Sequence, residues 1–81
     1  MNKIKVGDEM YYRDSRETLK VEVFGVRNDR FDKTKLSVYT LIPFEVIESH
    51  STRTKRLNIP FYASTKYKET EGDSWSLTRS L

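Results

Sequence analysis

The sequence predicts an all-β fold, a small antiparallel barrel or strongly curved sheet of about five strands with at most one short helical turn. Three observations carry this expectation. Apolar and polar residues alternate with a period of two in several short segments, short polar connections separate those segments, and no stretch shows the 3.6-residue apolar spacing of a long amphipathic helix.

The first strand is expected over Val6-Gly7-Asp8-Glu9-Met10-Tyr11-Tyr12-Arg13, where Gly-Asp leads in and Met10 and Tyr12 share one phase. Asp14-Ser15-Arg16-Glu17 is a polar break of hairpin length. Leu19-Lys20-Val21-Glu22-Val23 alternates without interruption; Gly25 then throws Phe24 and Val26 onto the other phase, as a glycine at a bulge or sharp bend does. A second polar connection, Asn28 to Thr34, holds Phe31 alone among charges. Lys35 to Ile42 is β-branched and aromatic and reads as a third strand, with Pro43 as its end or the mark of a sheet edge. Phe44 to His50 fits strand continuation and a helical turn equally well.

The fourth strand is expected over Arg56-Leu57-Asn58-Ile59-Pro60-Phe61-Tyr62-Ala63. Successive strand side chains point to opposite faces, so Leu57, Ile59, Phe61 and Ala63 are expected inward, and Arg56, Asn58, Pro60 and Tyr62 outward. A short helical turn is expected between Ser64 and Glu71, stopping at Gly72 in the left-handed conformation of a helix cap. Ser74 to Thr78 closes the set as a last strand, with Trp75 and Leu77 in one phase.

A chain of 81 residues is expected to form one domain, spanning residues 1–81, over a thin core. About twelve side chains qualify for that core, each worth roughly 1.5 to 3 kcal/mol when fully buried. The absence of cysteine excludes disulfides, thiolate zinc sites and cysteine nucleophiles, and points to a cytoplasmic setting. The longest apolar runs, Val23 to Val26 and Leu41 to Phe44, are far too short for a signal segment or a membrane span, so no membrane partner is expected.

Charge is distributed unevenly. The first fifty residues sum to zero, and the whole net charge of +3 arises in residues 51–81. Within them, Ser51 to Lys68 carries five basic side chains and no acid. That pattern, interleaved with aromatic residues, is what a nucleic-acid contact needs: Arg53, Lys55, Arg56, Lys66 and Lys68 for phosphates, Tyr62 and Tyr67 to stack on unpaired bases. The competing explanation is a sheet face kept charged against aggregation. Five phosphate contacts on a duplex imply a log-log salt slope of about −4.5.

Other candidates carry less chemistry. Adjacent Tyr11 and Tyr12 must face opposite sides of a strand, leaving one ring available at the surface; Tyr11 with Phe31 forms the alternative, a protein-binding surface. His50 is the single histidine, near Glu45 and Glu48, and lacks the convergent partners of a catalytic or metal site. Ser49-His50-Ser51 does not change this, because nucleophile and base meet through the fold and not as sequence neighbours. Gly7, Gly25 and Gly72 are too widely separated for a phosphate loop. No enzymatic function, metal or cofactor is expected.

Val6-Gly7-Asp8-Glu9-Met10-Tyr11 resembles the opening of SH3-like small barrels, the KOW and Tudor groups among them, in which an apolar residue, Gly and Asp lead into the first strand. The likeness covers about eight residues and implies a fold type; a second glycine of the KOW pattern and a methyl-lysine cage are lacking, and an OB-like barrel stays open. A short, charge-rich, cysteine-free chain is also similar in style to phage accessory proteins. The resulting expectation is a non-enzymatic binding module that contacts nucleic acid through a basic strand face, or alternatively an adaptor or inhibitor that binds protein through exposed aromatics or a strand edge. Exposed edges on so small a domain also make homo-oligomers an expectation to test.

Overall fold

The computed structural model describes residues 4–28, 36–50 and 57–81. Five antiparallel strands form one sheet: β1 (Glu9–Asp14), β2 (Glu17–Arg27), β3 (Val38–Ser49), β4 (Phe61–Ser64) and β5 (Trp75–Thr78), in the spatial order β4-β3-β2-β1-β5. The first four strands are neighbours in chain order, and β5 returns to pair with β1. The all-β expectation and its strand count hold. The sheet is not closed by pairing between β4 and β5, and no helix occurs among the described residues.

Alternation decides what each strand buries. Met10 and Tyr12 of β1, Leu19, Val21 and Val23 of β2, Tyr39 and Leu41 of β3, Ala63 of β4 and Leu77 of β5 form one core cluster, with Ile4, Val46, Phe61 and Trp75 packed against it. Leu19, Val21, Val23 and Leu41 are sealed from solvent, and each contributes roughly 1.5 to 3 kcal/mol of burial. Asp14 tightens the turn into β2: its Oδ1 accepts the backbone N–H of Arg16 at 2.8 Å and of Glu17 at 2.9 Å, a short polar side chain standing in for a backbone acceptor. Gly7 leads into β1 at φ 98° and donates its N–H to the Val23 carbonyl at 2.8 Å, a conformation that costs glycine nothing.

Three register shifts interrupt the long β2–β3 pairing, leaving Phe24 of β2 and Phe44 and Ile47 of β3 as extra residues. Bulges bend a strand and increase its twist, which curls this sheet over its core. The bulge at Phe24 sits where Gly25 pointed. Pro43, read as an end or an edge, is neither end nor outermost: it lies within β3, opposite Val21 at the Phe44 bulge. Beyond Leu41, however, β3 has left its pairing with β4, so the proline has no ladder bond to disrupt on that side.

Two local expectations are overturned. Leu57 and Ile59 do not plug the core; they are 42% and 57% exposed, because β4 begins only at Phe61 and residues 57–58 form a turn. Asn58 adopts φ 65° there and donates its N–H to the Pro43 carbonyl at 2.7 Å. Asparagine tolerates the left-handed region, and Pro60 cannot donate to a ladder, so the segment turns where its alternation suggested a strand. Phe61 and Ala63 do face inward and Tyr62 outward.

The helical turn expected over 64–71 is instead a bent crossover connection with a tight turn at residues 69–70, stitched by backbone bonds. Thr65 exchanges hydrogen bonds with Leu36 and Ser37, Lys66 donates to Glu71, and Leu77 donates to Thr70. Gly72 has no helix to cap. It clears space for Trp75, whose indole Nε1 would lie 1.9 Å from an added Cβ.

Candidate functional site

The outer face of the sheet, opposite the core, can be assembled row by row from the register. One row runs Tyr62 in β4, Thr40 in β3 and Gly25 in β2, with Phe24 extruded beside Gly25. The next holds Ile42, Glu22 and Glu9. A third holds Glu45 with extruded Phe44, then Lys20, Tyr11 and Thr78; a fourth holds Glu48 with extruded Ile47, then Thr18, Arg13 and Ser76. Each bulge therefore places an apolar side chain on the solvent side: Phe24, Phe44 and Ile47 are all exposed.

The rows differ in charge. Acids occupy the second to fourth rows as Glu9, Glu22, Glu45 and Glu48, partly offset by Lys20 and Arg13. Lys20 extends its ammonium between the rings of Tyr11, at 5.7 Å, and Phe44, at 5.8 Å, a cation–π contact with each that leaves Phe44 exposed. The Tyr62–Thr40–Phe24 row is uncharged, and Arg27 follows it on the side away from Glu22, opposite Val38. Tyr62, 77% exposed, and Phe24, 61% exposed, stand out from this row.

The expected site residues separate into three groups. Tyr62 lies on the outer face as alternation requires. Lys66, Tyr67 and Lys68 lie on the crossover and not on a strand, each engaged by an acid of the same loop. Lys66 Nζ is 2.6 Å from Asp73 Oδ2, the Tyr67 hydroxyl donates to Asp73 Oδ1 at 3.1 Å, and Lys68 Nζ is 3.8 Å from Glu71. The Lys66 and Tyr67 hydrogen bonds hold the Asp73 carboxyl below the usual carboxylate range. Arg53, Lys55 and Arg56, and Phe31 of the alternative surface, lie outside the described residues. Tyr11 is half-buried beneath Lys20.

The described residues contain eight basic and ten acidic side chains, a net of −2; the remaining segments therefore carry +5 to reach the chain total of +3. The described residues are thus net acidic, and the surplus of positive charge comes from residues 1–3, 29–35 and 51–56.

Other polar groups have structural partners. His50 Nε2 lies 3.2 Å from Glu48, both exposed, and the His50 N–H donates to the Arg16 carbonyl at 2.9 Å, closing the hairpin end. Among the described residues no group of three or more His, Asp or Glu is arranged to hold a metal ion. Asp8 is held below its ordinary value by the backbone N–H of Lys5 and by Arg79, whose Nη2 lies 3.0 Å away and ties the segment after β5 to the start of β1. Tyr39 is shifted upward by burial, and its hydroxyl donates to the Glu69 carbonyl at 2.6 Å.

Phe24, Phe44 and Ile47 are the surface residues that the sequence did not single out. Gly25 was the available signal for the first; the other two lie in the segment whose period was ambiguous. No helix of the described residues is long and apolar enough to cross a membrane. Comparison with protein-family models, curated proteins and solved structures finds no match to this chain.

Proposed function

We propose that the chain is a non-enzymatic binding module that takes single-stranded nucleic acid on its outer sheet face, with Tyr62 stacking on an unpaired base and Arg53, Lys55 and Arg56 neutralising phosphates. The carrying observation is Tyr62 itself, 77% exposed on a row of the sheet that bears no charge, in the strand that follows the basic segment. Lys66, Tyr67 and Lys68 stand second in this reading, because Lys66 and Lys68 must exchange acids of their own loop for phosphates and Tyr67 is tied by its hydroxyl to Asp73. The fold type in this reading is an SH3-like barrel, supported by Val6-Gly7-Asp8 leading into β1 with Gly7 in a turn.

The test is fluorescence anisotropy with a labelled oligothymidylate between 50 and 200 mM salt. Three contacts on a single strand imply a slope of about −2 and a roughly 15- to 20-fold loss of affinity over that range. Arg53→Glu with Lys55→Glu should abolish binding. Absence of saturable binding, or affinity indifferent to both salt and this double variant, overturns the reading.

A second reading, docking of a protein partner, is favoured by exposed Phe44 and Ile47 beside Glu45 and Glu48, with Tyr11 at the flank beneath Lys20. The partner would present a basic, apolar segment. Co-purification from cells with and without nuclease separates the two readings, since only a polypeptide companion survives the enzyme.

A further inference from the structure

Resting on the nucleic-acid reading above, we infer that the outer face stacks two bases and not one, on Tyr62 and on Phe24, with Thr40 and Gly25 as the low floor between them. The two rings occupy one row of the sheet, on β4 and β2, with β3 between. Two strand spacings put their backbones about 10 Å apart. Phe24 points outward by alternation from sealed Val23, and the bulge adds Gly25 to the same side of the sheet.

Gly25 matters because of what it leaves open. A Cβ built there would meet Thr40 Oγ1 at 3.3 Å and Thr40 Cβ at 3.4 Å, so a larger side chain would rise through the space between the two rings. Charge sets the direction of the ligand backbone. Arg27, exposed, lies one row beyond Phe24, and Glu22 with Glu9 occupies the row on the opposite side. A phosphate beside the base on Phe24 is therefore drawn toward Arg27 and away from Glu22 on the same strand. Bases stack on any aromatic face, so the site is tolerant of sequence and demands rings, not merely apolar bulk.

The experiment measures oligothymidylate affinity for the full chain and for Tyr62→Ala, Phe24→Ala, Phe24→Leu and Phe24→Trp, with thermal unfolding followed by circular dichroism. Each alanine variant should weaken binding about 5- to 150-fold. Phe24→Leu should fall with Phe24→Ala, and Phe24→Trp should keep wild-type affinity with its emission quenched by the oligonucleotide. If Tyr62→Ala loses binding while Phe24→Ala and Phe24→Leu do not, the site has one ring and the inference fails with the functional reading intact. A wild-type chain that binds no oligonucleotide removes both. Should Phe24→Ala not fold, the Leu and Trp variants decide: equal affinities overturn the inference, and a loss confined to Leu upholds it.

Discussion

The ring of Tyr12 in β1 meets the ring of Phe61 in β4 edge-on, with centroids 5.1 Å apart and planes inclined at 75°. In a flat sheet β1 and β4 of this order would stand three strand spacings, about 14 Å, apart. The contact therefore measures how far the bulged β2–β3 pair curls the sheet over its core. On the other side Trp75 of β5, the ladder partner of β1, stacks against the same tyrosine at 5.8 Å and 24°, so one ring touches a side chain from each edge strand, and the two edge strands share no ladder with each other. The Tyr12 hydroxyl reaches Asp14 Oδ2 at 3.1 Å, which keeps its polar end satisfied.

Phe61→Ala removes one half of this junction. A destabilisation of about 2 kcal/mol is expected by urea denaturation, below the ~3–5 kcal/mol of a fully buried phenylalanine because Phe61 is only partly covered. The neighbouring Tyr62→Ala should change stability by no more than about 0.5 kcal/mol. Equal losses at the two positions would contradict the alternation of β4.

Gly72→Ala should be costly for a different reason. The new Cβ would fall 1.9 Å from the Trp75 indole nitrogen, so the ring or the crossover must move. A loss of about 1 to 3 kcal/mol is expected, with a red shift of emission from the single tryptophan as its ring loses cover. An unshifted spectrum at wild-type stability would show that the indole does not pack there.

Asn58 supplies a backbone test. At φ 65°, Asn58→Gly should be tolerated, and Asn58→Val should cost about 1 to 2 kcal/mol. If valine were accepted as readily as glycine, the turn at 57–58 would be replaced by the strand that alternation suggests.

Stability should also respond to pH at both extremes. Tyr39 has its ionisation pushed up by burial, so its contribution is complete below the ordinary tyrosine range near pH ~10 and is lost as the pH rises beyond it. Tyr39→Phe should flatten that alkaline limb and, through the lost bond to the Glu69 carbonyl, cost about 1 kcal/mol at neutral pH. Asp8 is shifted downward by the Lys5 N–H and Arg79, so its contribution is present above the ordinary carboxylate value near ~4 and disappears as the pH falls below it. Asp8→Asn should therefore melt below wild type at pH 7 and converge with it in strong acid.

Glu22→Gln bears on the binding face. Glu22 lies one row from the Tyr62–Thr40–Phe24 row, and removing its charge should strengthen oligonucleotide binding about two- to threefold at low salt, an effect that vanishes at high salt. Weaker binding in this variant would mean that the acidic row takes part in recognition.

The period-two pattern made β1, β2, β5 and the inward phase of Phe61 and Ala63 legible, because a half-buried strand must alternate whatever it pairs with. Gly25 announced a bulge for the same local reason. The continuation of β3 through Pro43 could not be read, since a proline inside a strand is tolerable only if its neighbour is absent on one side, and pairing partners are not written in the strand itself. Leu57 and Ile59 misled for a related reason: they alternate correctly, but the left-handed turn at Asn58 interrupts before any partner strand can use them. The basic segment was visible as composition. That Lys66 and Lys68 would be met by Asp73 and Glu71 depended on how the crossover folds back.

The sequence by itself determined the all-β class, the strand count and the sidedness of most strands, because these follow from alternation and from the short reach of polar turns. Only the tertiary structure decided which cations are already paired, which apolar residues the bulges push outward, and that Tyr62 and Phe24 share one uncharged row. Those outcomes depend on register between strands distant in the chain, and a register is chosen by the whole packed core at once and not by any one segment.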